Sequence, residues 1–152
     1  MASSDARLFV LGSLPGDASL AAERYYAHPR NQFWRLLGAA LGEDLQNLGY
    51  ETRLERLTAR RIALWDVVAE AERRGSLDQS IRRVGHNPLA DYFATFPDLR
   101  AVAFNGSTAA AIGHRLLGGT SLTLIGLPSS SPANTRPFAE KALAWRALAD
   151  LI

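Results

Sequence analysis

A buried β-strand that runs into a tight turn is predicted by the stretch Leu8-Phe9-Val10-Leu11-Gly12-Ser13-Leu14-Pro15-Gly16. Three similar apolar runs follow along the chain, at 62–65, 101–104 and 121–125. None of them strictly alternates apolar with polar residues, which is typical of parallel strands covered on both faces. Helical patterns separate the four runs, at 33–41, 54–59, 88–93, 107–117 and 138–151. The sequence therefore predicts an α/β fold, a three-layer αβα sandwich with a four-stranded parallel sheet.

Length and composition indicate one globular domain over residues 1–152, with 47% hydrophobic and 21% charged residues. No apolar run reaches the ~18 residues of a membrane span, and the first residues lack the pattern of a secretory signal. The chain has no cysteine, which excludes disulfides and thiolate metal sites and fits a cytoplasmic protein. Its three histidines, His28, His86 and His114, are too widely spaced to predict a metal site.

The chemistry is expected just after the strands, because parallel α/β sheets bind ligands beyond the carboxyl ends of their strands. Four segments occupy those places, at 12–16, 66–68, 105–107 and 126–135. The first, with Gly12, Ser13 and Leu14, can expose backbone N–H groups to an anion or a ring oxygen, or it can be a plain turn. Asp66 can accept an N–H from a ligand or cap a following helix, and Asn105 is either a turn residue or a pocket amide.

A second group of polar side chains lies among aromatic rings in Tyr25-Tyr26-Ala27-His28-Pro29-Arg30-Asn31-Gln32-Phe33-Trp34. A core uses the rings but has little use for the imidazole, guanidinium and carboxamide beside them. A pocket that stacks a flat heterocycle and hydrogen-bonds its edge uses all of them. Asn31 can also cap the helix that begins near Phe33, and the two roles are compatible.

The loop after the fourth strand, Leu127-Pro128-Ser129-Ser130-Ser131-Pro132-Ala133-Asn134-Thr135, is rich in hydroxyl groups and stiffened by two prolines. Such a loop suits phosphate contacts and insertion into a groove, although a simple surface loop has the same composition. A serine nucleophile is disfavoured because the Gly-x-Ser-x-Gly elbow is missing.

These motifs, in this order, resemble the uracil-DNA glycosylase superfamily, and most of all its hypoxanthine-DNA glycosylase branch, often called family 6. The resemblance spans nearly the whole chain, and the Tyr25 to Trp34 string is its most specific part. Further matching residues lie in Ala63-Leu64-Trp65-Asp66-Val67, Gly75-Ser76-Leu77-Asp78-Gln79-Ser80-Ile81 and Phe104-Asn105-Gly106. The resemblance implies an enzyme that cuts a deaminated base, hypoxanthine or also uracil, from DNA without a cofactor or a metal.

The resemblance also assigns roles. The turn with Gly12, Ser13 and Leu14 lines the base pocket; the best-known branches carry Asp or Asn where Leu14 stands, so the catalytic amide passes to Asn31. The base stacks on Phe33, and Asp66 reads its edge. From the residues themselves we expect His28, if it points inward, to donate to the leaving base, and Asn105 to bind the base. The DNA backbone contacts Ser129, Ser130, Ser131, Pro132, Asn134 and Arg30.

The resemblance further predicts a monomer associated with the nucleoid. Lys141, the sole lysine, lies in the last predicted helix, away from every strand end. Since a lyase step needs an amine to form a Schiff base, we expect a monofunctional enzyme that leaves an abasic site. Two alternatives remain open: a relative that binds damaged DNA with little cleavage, and a small-molecule α/β hydrolase using Ser129, Ser130 or Ser131.

Overall fold

The computed structural model describes residues 1–13, 17–67 and 88–152. Leu14, Pro15, Gly16 and the matching motif at 75–81 lie outside the described residues. Four strands form one sheet: β1 (Leu8–Gly12), β2 (Ile62–Asp66), β3 (Ala101–Asn105) and β4 (Thr123–Leu127). All neighbouring strands are parallel, in the order β2-β1-β3-β4. The predicted four-stranded parallel sheet is confirmed.

The described helices cover both faces of this sheet. They are α1 (Asp17–Ala22), α2 (Phe33–Leu41), α3 (Tyr50–Ala59), α4 (Pro88–Phe93), α5 (Ser107–Leu117), α6 (Phe138–Trp145) and a 3₁₀ helix (Arg146–Leu151). None of these helices is both long and apolar enough to span a membrane.

Two hydrophobic clusters, one on each face of the sheet, produce the three layers. Leu8 and Val10 of β1 point to the face covered by α2, α3 and the C-terminal helices, where Trp145 is fully buried. Phe9 and Leu11 point to the opposite face, which α4 and α5 cover. Successive residues of β1 thus alternate between two apolar layers, which explains why the strand is hydrophobic at every position.

Three details of the elements differ from the sequence prediction. The last strand begins at Thr123 rather than 121, and it is partly exposed because it forms an edge of the sheet. A serine that opens a helical pattern predicts an N-cap, but Ser107 is already the first residue of α5. Gly106 precedes it with a positive φ of 103°, and no side-chain cap bond forms. The predicted helix over 138–151 changes to 3₁₀ geometry after Trp145.

Parallel pairing brings the polar strand ends together at one edge of the sheet. Gly12 pairs in register with Asp66, and Asn105 pairs with Leu127, which the serine loop follows directly. A one-residue change of register would turn these side chains to the other face of the sheet. The register of the apolar strands therefore positions the polar residues.

We predict that Gly113→Ala destabilises the fold by about 1–3 kcal/mol despite the better helix propensity of alanine. A Cβ atom at Gly113 would lie 2.0 Å from Cε1 of Phe104, a fully buried ring on β3. Gly119→Ala is the matched control, because a Cβ there meets nothing within 4 Å. Urea unfolding of both variants checks this, and equal midpoints would contradict the close packing of α5 on β3.

Candidate active site

A cavity of about 900 Å³ opens at the carboxyl edge of the sheet. Most of the predicted site residues line it. They are Gly12, Ser13, His28, Asn31, Asp66, Asn105, Ser129, Ser130, Ser131 and Pro132. Segments that lie up to 120 residues apart in the sequence, from Gly12 to Pro132, thus converge on one space.

The remaining predicted residues do not line this cavity in the described part of the chain. Arg30 is exposed, and the backbone carbonyl oxygen of Asn134 accepts a hydrogen bond from Lys141. Phe33 is fully buried, and Tyr26 stacks on it with the ring centroids 3.7 Å apart and the planes inclined by 11°. The expectation that a base stacks directly on Phe33 disagrees with this arrangement, because Tyr26 already covers the face of the ring.

Tyr26 is the aromatic side chain of this pair that lines the cavity, and the sequence analysis gave it no role. Its backbone adopts a left-handed φ of 55°, which is rare for an aromatic residue and is a form of strain that concentrates at functional sites. Gly12 permits the close approach of its ring. A Cβ at Gly12 would lie 3.0 Å from Tyr26 Oη and 3.0 Å from Asp66 Oδ1.

The electrostatic environment keeps the Tyr26 hydroxyl protonated. Desolvation by burial raises the pKa of Tyr26 well above its ordinary value, and the negative charge of Asp66 adds to the rise. The hydrogen bond with the Asn105 side chain lowers the pKa of Tyr26 by less than burial raises it, but by more than the Asp66 charge adds. At neutral pH, Tyr26 therefore presents a phenol and Asp66 a nearby acceptor.

A hydrogen-bond network fixes the carboxamide of Asn31. Its Oδ1 accepts from the backbone N–H of Phe33 at 2.9 Å and from the Ser130 hydroxyl at 2.8 Å. Ser130 is fully buried; its hydroxyl accepts from Asn105 Nδ2 at 2.8 Å, and its backbone N–H donates to Asn105 Oδ1 at 2.9 Å. Each bond defines the direction of the next, so the orientations of both amides are determined.

Asn31 thus stabilises the first turn of α2 and lines the cavity at the same time. Its carbonyl oxygen already accepts two hydrogen bonds, which occupies both in-plane lone pairs. Among the residues the structure describes, none accepts a hydrogen bond from Asn31 Nδ2. What Asn31 offers to a ligand or a water molecule is therefore a pair of N–H donors.

The exposed imidazole of His28 is also oriented by a local contact. Its Nδ1 accepts from the backbone N–H of Arg30 at 3.0 Å. In the neutral ring, the proton therefore resides on Nε2. His28 can donate from that atom, as the sequence analysis expected of a group that assists a leaving base.

The serine loop, defined as Ser129 to Asn134, is held by its own hydroxyl groups. Ser129 Oγ accepts from the backbone N–H of Ser131 at 3.1 Å, and Ser131 Oγ accepts from that of Ala133 at 3.2 Å. These contacts leave the hydroxyl hydrogens able to donate to a phosphate. Among the described residues, none of the three serine hydroxyls bonds to a histidine, so the arrangement of a serine hydrolase is not formed.

The placement of Lys141 corrects the sequence analysis, which put it away from the strand ends. Lys141 is 1% exposed, and its ammonium group contacts the loop that follows β4. No local sequence pattern indicates these long-range contacts of Lys141.

Comparisons with known proteins identify the family of this chain. The family model of the Uracil DNA glycosylase superfamily matches residues 1–151. The chain belongs to the uracil DNA glycosylase superfamily. It is 40% identical over 141 residues to the hypoxanthine DNA glycosylase of Methanosarcina acetivorans, covering 93% of this chain and 89% of that protein. The corresponding protein of Methanosarcina barkeri is 39% identical over 140 residues, covering 91% and 87%.

A solved structure extends the comparison to the fold. The solution NMR structure of a uracil DNA glycosylase-like protein from Methanosarcina acetivorans superimposes with a TM-score of 0.76 at 32% identity. The superposition covers 99% of this chain and 93% of the Methanosarcina acetivorans chain. The protein is a DNA glycosylase. This is a DNA-repair enzyme of the hydrolase class, and its substrate is DNA.

We predict that the Tyr26 phenol does not ionise in the native glycosylase at pH values where ordinary tyrosines do. The pKa is raised in the folded state, so the neutral phenol contributes stability that is present below about pH 10 and lost as the pH rises through the folded-state pKa. Absorbance titration should give wild type and Tyr26→Phe the same phenolate signal up to about pH 11. Unfolding in urea should then reveal the fourth tyrosine. A larger signal from folded wild type would contradict the burial of this hydroxyl.

Proposed function

We propose that the protein hydrolyses the N-glycosidic bond of hypoxanthine flipped out of DNA, with uracil as a second substrate, and leaves an abasic site for base excision repair. Similarity to two hypoxanthine DNA glycosylases supports the choice of base. The observation that carries the mechanism is the fixed Asn31 carboxamide at the wall of the cavity. That it acts as a metal-free monomer at the nucleoid remains a prediction.

Extrusion of the nucleotide costs a few kcal/mol, and stacking on an aromatic side chain returns about 1–3 kcal/mol. We assign this stacking to Tyr26 in place of Phe33. One face of Tyr26 rests on the buried Phe33 ring, which in turn contacts Trp145 at 5.6 Å between centroids. Phe33 then acts as the support that holds Tyr26 in its strained backbone conformation.

Cleavage develops positive charge on the sugar and negative charge on the base, as in glycoside hydrolysis. An Asn side chain is too weak a base to remove a proton early, and the Asn31 carbonyl is already occupied. Its N–H donors hold the attacking water by position, which is the main requirement of a late, dissociative reaction. Gly12 and Ser13 amides and His28 Nε2 provide donors for the departing base.

Asp66 selects among bases. The edge of hypoxanthine pairs a carbonyl oxygen with an adjacent ring N–H, and a carboxylate accepts that N–H. Adenine presents only a ring lone pair at the same atom, so a carboxylate opposes it. Asp66 ends β2 at the cavity wall, beside Gly12 and Tyr26, where this contact is within reach of a base in the pocket.

No Schiff base is required for this reaction. The three N–H donors of Lys141 are matched by three acceptors, and this side chain is not among those that line the cavity. Water is then the nucleophile, which supports a monofunctional glycosylase over a lyase.

We predict that Asn31→Ala lowers the single-turnover rate on an inosine duplex about a hundredfold, a loss comparable to removal of one positioned amide donor. Binding to an abasic-site duplex should change much less, since the phosphate contacts remain. Asn47→Ala, which removes an exposed carboxamide from the surface, is the matched control. The panel includes duplexes with inosine, uracil, xanthine or thymine. A wild-type rate for Asn31→Ala would refute its assignment, and no cleavage by wild type of any duplex would favour a protein that only binds damage.

We expect Asp66→Asn to lose selectivity rather than all activity. The amide can turn its N–H toward a ring lone pair, so the ratio of inosine to adenine cleavage should fall by roughly ten- to a hundredfold, in line with about 1–3 kcal/mol per mismatched polar contact. Asp44→Asn, an exposed carboxylate outside the cavity, serves as the control. Unchanged discrimination in Asp66→Asn would show that another group reads the base edge.

A further inference from the structure

Lys141 is the only lysine of the chain and one of two polar or charged side chains that are buried among the described residues; the other is Ser130. A buried ammonium group is costly unless acceptors surround it. Burial indeed lowers the pKa of Lys141, and the nearby Arg136 lowers it further. A packed apolar residue would avoid this cost, but it would supply no hydrogen-bond donors.

The acceptors of Lys141 belong to two separate segments. Its Nζ donates to Asn134 O at 2.8 Å and to Ser131 O at 3.4 Å, both in the serine loop. It also donates to the side chain of Gln32, at 3.0 Å from Oε1. Gln32 directly follows Asn31 and precedes the first residue of α2.

The same two segments meet again at Ser130. The backbone N–H of Gln32 donates to Ser130 O at 3.0 Å, and the Ser130 hydroxyl donates to Asn31 Oδ1 at 2.8 Å. These contacts are next to those of Lys141 in both segments. If the loop moved relative to α2, the Ser130 hydroxyl would lose Asn31, and the amide would be held only by the bond from the Phe33 N–H.

Two side chains of α6 hydrogen-bond to the segment that follows β4. One helical turn after Lys141, Trp145 donates from Nε1 to the carbonyl oxygen of Pro128 at 2.9 Å. Trp145 anchors the residue just before the loop and packs on Phe33, whereas Lys141 anchors the end of the loop and hydrogen-bonds to Gln32, the residue next to Asn31.

We propose that Lys141 is a positioning residue, which clamps the serine loop onto the start of α2 and thereby fixes the Asn31 carboxamide through Ser130. Lys141 acts through Asn31, and the inference therefore rests on the proposed function of that residue. It assigns to the buried lysine a part in catalysis without contact with DNA.

The test uses Lys141→Met, which keeps a long unbranched side chain but removes all three donors. We expect its single-turnover rate on the inosine duplex to fall at least tenfold. Leu57→Ala is the control for lost stability. Leu57 is fully buried in α3, near the amino ends of the strands and therefore away from the cavity. At a temperature where both variants are folded to the same extent, Leu57→Ala should retain the wild-type rate.

The double variant separates positioning from a general effect. Once Asn31 is alanine, there is no carboxamide to orient, so adding Lys141→Met should change the rate by less than twofold. Gln32→Met, which breaks the same bridge from the other side, should reproduce the loss seen in Lys141→Met and provides the test if that variant does not fold. The NMR signals of the Asn31 side-chain amide, assigned by their loss in Asn31→Ala, should shift in Lys141→Met and not in Leu57→Ala.

The outcomes are distinguishable. A slow Asn31→Ala with a wild-type rate for both Lys141→Met and Gln32→Met would overturn this inference and leave the proposed function intact. A multiplicative loss in the Asn31–Lys141 double variant would also overturn it, since the two residues would then act independently. A wild-type rate for Asn31→Ala would instead reject the proposed role of Asn31 itself.

Discussion

The geometry of the site depends on the buried hydroxyl of Ser130, which joins three segments that are distant in the sequence. It accepts from Asn105 at the end of β3 and donates to Asn31 before α2, while the backbone of Ser130 belongs to the loop after β4. A buried hydroxyl without partners is costly, so the folded state favours the one arrangement that satisfies all of these groups. A single buried oxygen thereby fixes the orientation of two carboxamides at the cavity.

The parallel sheet explains why these three segments of the chain lie next to each other. Four strands that run in one direction bring four chain segments to the same edge, and glycines at two of the strand ends let neighbouring side chains approach closely. Gly12 leaves room for Tyr26 and Asp66, and Gly106, with its positive φ, lies against Ser129. Larger residues would separate the groups that the hydrogen-bond network joins, so the two glycines are requirements of the site as much as of the fold.

Sequence reasoning found the sheet and most residues of the cavity because both follow from local patterns. Apolar runs of four or five residues define the strands. The residues that follow them can be assigned to the cavity from their position alone, because parallel sheets bind ligands at the carboxyl ends of their strands. Sequence reasoning failed where a local pattern is compatible with two different structures. Tyr26 and Phe33 are both aromatic and both fit a stacking role. Which of the two rings faces the cavity depends on the left-handed backbone of Tyr26, and the residue type does not predict that conformation. Lys141 was misplaced because its partner Gln32 lies 109 residues away.

The rigidity of the serine loop affects the DNA binding that is proposed for the glycosylase. Its hydroxyl oxygens accept from backbone N–H groups within the loop, and its carbonyl oxygens accept from Lys141 on α6. Trp145 on the same helix donates to the carbonyl oxygen of Pro128, just before the loop. A loop ordered before binding loses little further entropy when it meets a phosphate, so more of each contact contributes to affinity. The same bonds prevent the loop from moving independently of Asn31. In the proposed function, contact with the DNA backbone and orientation of the Asn31 amide are therefore properties of one rigid unit, and a base that enters the cavity meets a site whose polar groups are already in place.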